Sequence, residues 1–142
     1  MKKILSLLIL FLLSLSLVFA VGAEGKIEVN VLAKTSKSWN GHPLPRYSKG
    51  KPEITILRIF IPPHTDLAWH EHPEINAGVM ISGELTVITD KQDTLHLQAG
   101  DPIVEVVNTW HFGKNEGDEP VDIIVFYAGI KGKAVTILED KK

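Results

Sequence analysis

Two histidines one residue apart, His70 and His72, are the first residues in this sequence whose types and spacing could do chemistry. Residues 67–72 read as a short strand, so both imidazoles project to one face. Two rings on a rigid face can offer two nitrogen donors to one metal ion. The competing reading is a surface pair ahead of the turn at Pro73. The other histidines are His42, His64, His96 and His111. His42 lies in a Gly/Pro-rich arm, His64 follows Pro62-Pro63 in a turn, and His96 reads as a solvated strand position. There is no cysteine. Thiol nucleophiles, disulfides, Cys-zinc sites and iron–sulfur clusters are therefore excluded. A metal must be held by histidine, carboxylate or amide groups. There is no Gly-x-Ser-x-Gly elbow and no phosphate loop. The acids read as scattered over turns, with no assignable acid–base pair.

Short strands must position these histidines. Residues 26–32 alternate, with Ile27, Val29 and Val31 on one face, and predict a strand. Residues 35–51 carry Gly41, Pro43, Pro45 and Gly50 and read as a long arm. Strands are then predicted at 54–61, 77–81, 84–89, 94–98, 103–107, around Trp110, at 121–128 and at 134–138. Pro62-Pro63, Ser82-Gly83, residues 90–93, Ala99-Gly100-Asp101 and residues 115–119 punctuate them. No helical period appears beyond residue 23. Short strands with regular turn signals predict an all-β sandwich or barrel. Arg58 alternates with Ile54, Ile56 and Phe60, a face that could be the cavity's or a rim. Trp69 and Trp110 adjoin His70 and His111 and should point away from them, as packing.

Residues 1–23 stand apart. Lys2 and Lys3 precede an apolar run, and Ala20 or Ala23 ends a small-residue cleavage pattern. This is the anatomy of a secretory signal peptide, and predicts export to the periplasm or beyond with no membrane contact after cleavage. The remainder, 24–142, reads as one domain with an N-terminal arm at about 34–51. Trp39, Leu44 and Tyr47 in that arm could pack across an edge strand, so a homodimer is admitted. The formal net charge is -2, with hydrophobic residues at 44%. That balance is globular and gives no basic footprint for nucleic acid.

The motif context extends the histidine pair. After His70-Glu71-His72 come Asn76 and then Gly83. Gly100 is followed by Asn108-Thr109-Trp110-His111 and then Asn115. This resembles the two signature motifs of the cupin superfamily, G-x5-H-x-H-x3-4-E-x6-G and G-x5-P-x-G-x2-H-x3-N, over about residues 53–130. His64 stands where the first glycine would be, Val106 in place of proline, and Asn108 in place of glycine. Asn76 occupies the position of the glutamate that joins the three histidines in the fuller pattern. The resemblance implies a double-stranded β-helix, or jelly-roll barrel. It implies one divalent transition metal (Fe, Mn, Ni, Cu or Zn) on His70, His72 and His111. Neither Glu74 nor Asn76 is assigned as a further ligand. It also implies a small-molecule ligand, and an oxygenase-like activity resembling that of three-histidine dioxygenases. The alternative is a cupin that binds metal or ligand without catalysis.

Overall fold

The computed structural model describes residues 25–140. The expected signal at 1–23 lies outside the described residues. Ten strands follow one another: β1 Pro52–Ile61, β2 Thr65–Asp66, β3 His70–Glu71, β4 Asn76–Ser82, β5 Glu84–Thr89, β6 Thr94–Gln98, β7 Pro102–Val104, β8 His111–Asn115, β9 Val121–Ile130 and β10 Ile137–Leu138. All the pairings are antiparallel. One sheet has the order β1-β9-β4-β7, the other β10-β3-β8-β5-β6 with β2 also on β8. Apart from β2–β3 and the β5–β6 hairpin, successive strands lie in different sheets, and the chain winds between two facing layers. This is the expected all-β double-stranded β-helix.

The strands alternate because each has one face on the core. In β9, Val121, Ile123, Val125 and Tyr127 are buried, while Ile124 and Phe126 are exposed. Ile61, Met80, Leu85, Val87, Leu97 and Ile103 meet them from both sheets. Burying each such aliphatic side chain contributes about 1.5–3 kcal/mol. This apolar packing replaces the disulfides that the chain lacks.

Four turn positions hold the strands at their angles, and all four have left-handed backbone. Gly83 has φ 79°, Gly100 φ 91°, His64 φ 52° and Asn108 φ 49°. These are the four positions at which the motifs call for glycine, so the geometry persists where the residue has changed. Asparagine tolerates this region better than most residues. At Gly83 a Cβ would also sit 2.6 Å from the Pro120 carbonyl oxygen.

One expectation is corrected. Residues 26–32 form no strand: Ile27, Val29 and Val31 are 87%, 83% and 72% exposed. Alternation marks a chain able to enter a sheet, but a ladder needs a partner edge. The nearby β7 edge is taken by the arm, where Trp39 N–H donates to the Val104 carbonyl at 2.8 Å. Of the two readings open for Arg58, the structure takes the rim: the side chain faces outward, away from the cavity. It forms a two-pronged ion pair with Asp122 at 2.7–3.3 Å, between exposed Ile56 and Phe60. Shorter shifts occur at β7, which stops at Val104, and at β8, which begins at His111 rather than around Trp110.

Candidate metal centre

β3 supplies His70 and β8 supplies His111, and the two residues are cross-strand partners. His72 follows β3 after one residue. The i, i+2 spacing brings it to the same face as His70, as expected. The ring centroids lie 5.0 Å (His70–His72), 4.4 Å (His70–His111) and 5.1 Å (His72–His111) apart. One nitrogen from each ring falls within 4.8 Å of the others. No other such cluster of His, Asp or Glu occurs among the described residues.

The opposite ring nitrogen of each histidine is engaged by the backbone. His70 Nδ1 lies 2.7 Å from the Ala68 carbonyl oxygen, His72 Nδ1 2.9 Å from that of Val135, and His111 Nδ1 2.8 Å from that of Thr109. A carbonyl only accepts, so each Nδ1 must carry the proton and donate. Each Nε2 is then left with a free lone pair, the tautomer that a metal ligand needs. His111 Nε2 is buried and makes no hydrogen bond. Burial also keeps the rings neutral. Desolvation lowers all three pKa values, that of His72 to about 4.

The second motif locks onto the first through the backbone. Asn108 N–H donates to the His72 carbonyl at 2.9 Å, and Glu105 N–H to that of Asn76 at 3.1 Å. Asn115, the last motif residue, faces the core beyond the site. Its Nδ2 donates to the carbonyls of Ile61, Pro62 and Glu119, and its Oδ1 accepts from Gly117 N–H. That role is structural: it closes one end of the barrel. Trp69 packs on Phe112 with ring centroids 4.7 Å apart, as expected of a packing residue.

A cavity of about 250 Å³ opens beside the histidines. At ~30 Å³ per water it has room for about eight water-sized groups, the scale of a small molecule. Leu57, Ile59 and Val125 make its walls apolar, and Tyr127, Thr136 and Glu105 add polar groups. The Tyr127 ring meets His72 edge-on at 5.4 Å. Burial raises the Tyr127 pKa, so its hydroxyl remains a donor.

The sequence reading missed Glu105. It lies in no turn: the residue is 8% exposed, and its Oε2 sits 3.8 Å from His111 Nε2. Burial pushes its carboxyl up to about 7, with His70 pulling the other way. The available signal was a lone carboxylate inside an apolar run from Ile103 to Val107. Of the two weighed candidates, Glu74 has Lys133 Nζ as an ionic neighbour at 3.7 Å. Asn76 is 1% exposed, with its Oδ1 unpartnered. The donor set fits a divalent transition ion: converging neutral imidazoles, with buried unpartnered oxygens nearby.

The family model of the cupin domain matches residues 57–127, half of the chain. The H2HPP isomerase of Bacillus subtilis is 29% identical over 99 residues, which are 67% of this chain and 40% of that protein. The chain thus spans well under half of that relative. A Klebsiella pneumoniae protein with a double-stranded β-helix domain superposes with a TM-score of 0.53 at 26% identity, over 68% of this chain and 90% of the other. The DMSP lyase DddQ of Ruegeria pomeroyi gives a TM-score of 0.53 at 19% identity, over 69% and 46%. The last likeness is one of fold alone. The family model covers both histidine motifs, which the structure brings together between two facing sheets: the chain belongs to the cupin family.

Proposed function

We propose that this cupin holds one divalent transition-metal ion on His70, His72 and His111 and acts on a small molecule in the adjoining cavity. One observation carries the reading. Backbone carbonyls hold all three Nδ1 protons, so three neutral Nε2 lone pairs are free within one cluster. Three surface histidines would have no reason to share that arrangement. When bound, the ion supplies charge that polarises a substrate oxygen and, if redox-active, a route for electrons to O2. The chain's own residues do the rest. Leu57, Ile59 and Val125 exclude water, and the Tyr127 hydroxyl donates a hydrogen bond to a ligand oxygen. An oxygenase-like reaction on a small chelating molecule is the first reading.

A second reading is a non-oxidative rearrangement or proton transfer at the same centre. The relative named an isomerase favours it, as does a Tyr127 hydroxyl held protonated by burial. Elemental analysis of the purified chain tests the metal, with His111→Ala as control. About one equivalent of metal is expected, lost in His111→Ala while the all-β circular dichroism is kept. Full retention in His111→Ala would sink the assignment. Oxygen uptake with small diketones, thiols and phenolics then separates the two readings. Stoichiometric ligand binding without turnover would leave a binding module.

A further inference from the structure

The strand register places Glu105 in a distinctive position. β4 and β7 pair Ala77 with Val104 and Gly78 with Ile103. The next step of the same register sets Asn76 opposite Glu105, and the Glu105 N–H does donate to the Asn76 carbonyl at 3.1 Å. Asn76 is also the cross-strand partner of Tyr127, which lines the cavity. Residues directly opposite in a sheet share a face. Asn76, Glu105 and Tyr127 therefore form one inward row facing the histidines.

Three atoms around this row are buried without a hydrogen bond: Glu105 Oε2, Asn76 Oδ1 and His111 Nε2. Each of these atoms can offer an electron pair, and none of the three has it occupied by a hydrogen bond. At 3.8 Å, Glu105 Oε2 and His111 Nε2 are too far apart to share a hydrogen bond. One ion with bonds of about 2.1 Å to nitrogen and oxygen spans such a gap.

We propose that Glu105 is a fourth protein ligand of the ion held by His70, His72 and His111, its carboxylate reaching the centre from the strand position directly across from Asn76. The inference rests on the metal reading above. It makes the centre three-histidine, one-carboxylate, and cancels one of the ion's two positive charges. An oxygen donor in that set moves the preference towards harder ions such as Mn(II) and Fe(II). In this chain the carboxylate has changed strands, while the centre keeps its composition.

The test is titration of the chelator-stripped chain with Co(II), read by its visible absorption and by the dissociation constant. Glu105→Gln keeps the shape but removes the charged donor. Its Co(II) affinity should fall at least about tenfold, and its absorption bands should shift. The double variant Asn76→Glu/Glu105→Gln, which returns a carboxylate to the row one strand over, should recover most of the affinity. Wild-type affinity and spectrum in Glu105→Gln would overturn the proposal. His111→Ala separates the two levels. If it loses Co(II) while Glu105→Gln does not, only the fourth ligand falls. If neither loses Co(II), the metal reading falls with it. Should Glu105→Gln not fold, Glu105→Asp serves instead. Weaker binding with altered bands supports ligation, and unchanged binding refutes it.

Discussion

Replacing Glu105 with glutamine in the metal-free protein should make the chain lose stability more steeply in acid. Burial sets the folded pKa of Glu105 at about 7, above its ordinary 4.5. Between those values the folded chain keeps a proton that the unfolded chain has released. Its contribution is complete below 4.5 and is lost as pH rises towards 7. His72 runs the other way. Its folded pKa of about 4 lies below the ordinary 6.5. The unfolded chain protonates first, and stability is lost as pH falls from 6.5 towards 4. From about pH 7 down to about pH 5 each group changes stability by ~2 kcal/mol, with opposite signs. His70 and His111 also have lowered pKa values and add to the loss in acid. In the wild-type chain Glu105 offsets about one of these histidines, and in Glu105→Gln nothing does. The stability gap between the two proteins should therefore widen by ~2 kcal/mol over that range. Urea unfolding in the presence of a chelator, followed by tryptophan fluorescence at stepped pH, measures it. Parallel pH profiles would show that Glu105 is not held protonated by burial, and the reasoning would fail.

Asn115→Ala removes a side chain that serves three carbonyls and one N–H. It should cost about 3 kcal/mol in urea unfolding, and a loss below about 1 kcal/mol would contradict its role as the barrel's closing residue. The outer face of β1 and β9 exposes Ile56, Phe60 and Phe126, with Ile56 directly opposite Phe126. Leu32, from the segment before the arm, already lies against the adjoining part of that sheet. The apolar side chains of this face flank the Arg58–Asp122 ion pair, and such a face suits pairing with a second copy of this chain. Phe60→Asp should convert a dimer to monomer in sedimentation velocity, and a wild-type chain that is already monomeric would refute the homodimer.

What the sequence disclosed follows from how local each determinant is. β5 and β6 match their predicted spans because they alternate and are bounded by Gly83, the turn at residues 90–93 and Ala99-Gly100. The His70–His72 pairing needed only strand periodicity, and His111 needed only motif spacing. Glu105 was hidden because its meaning depends on lying across from Asn76, and a register between β4 and β7 is set by distant parts of the chain. Arg58 stayed open for a related reason. Both faces of β1 are largely apolar, so composition could not say which one turns inward, and the Asp122 partner that settles it lies on β9. Residues 26–32 have the pattern of a strand and no edge to join. Pattern shows what a segment can do, and pairing decides whether it does.

The stretch from Val135 to Leu138 has a kinetic consequence. The Val135 carbonyl orients His72, while Thr136 and Leu138 form part of the cavity wall. β10 holds this stretch to β3 through only two residue pairs. A ladder of two residue pairs opens far more often than the longer sheets beneath it. When this one opens, the cavity gains an entrance and His72 loses the acceptor that fixes its ring in the same event. Traffic through this wall and retention of whatever the histidines hold thus share one barrier. Access to the cavity and the orientation of the His72 ring are thereby coupled.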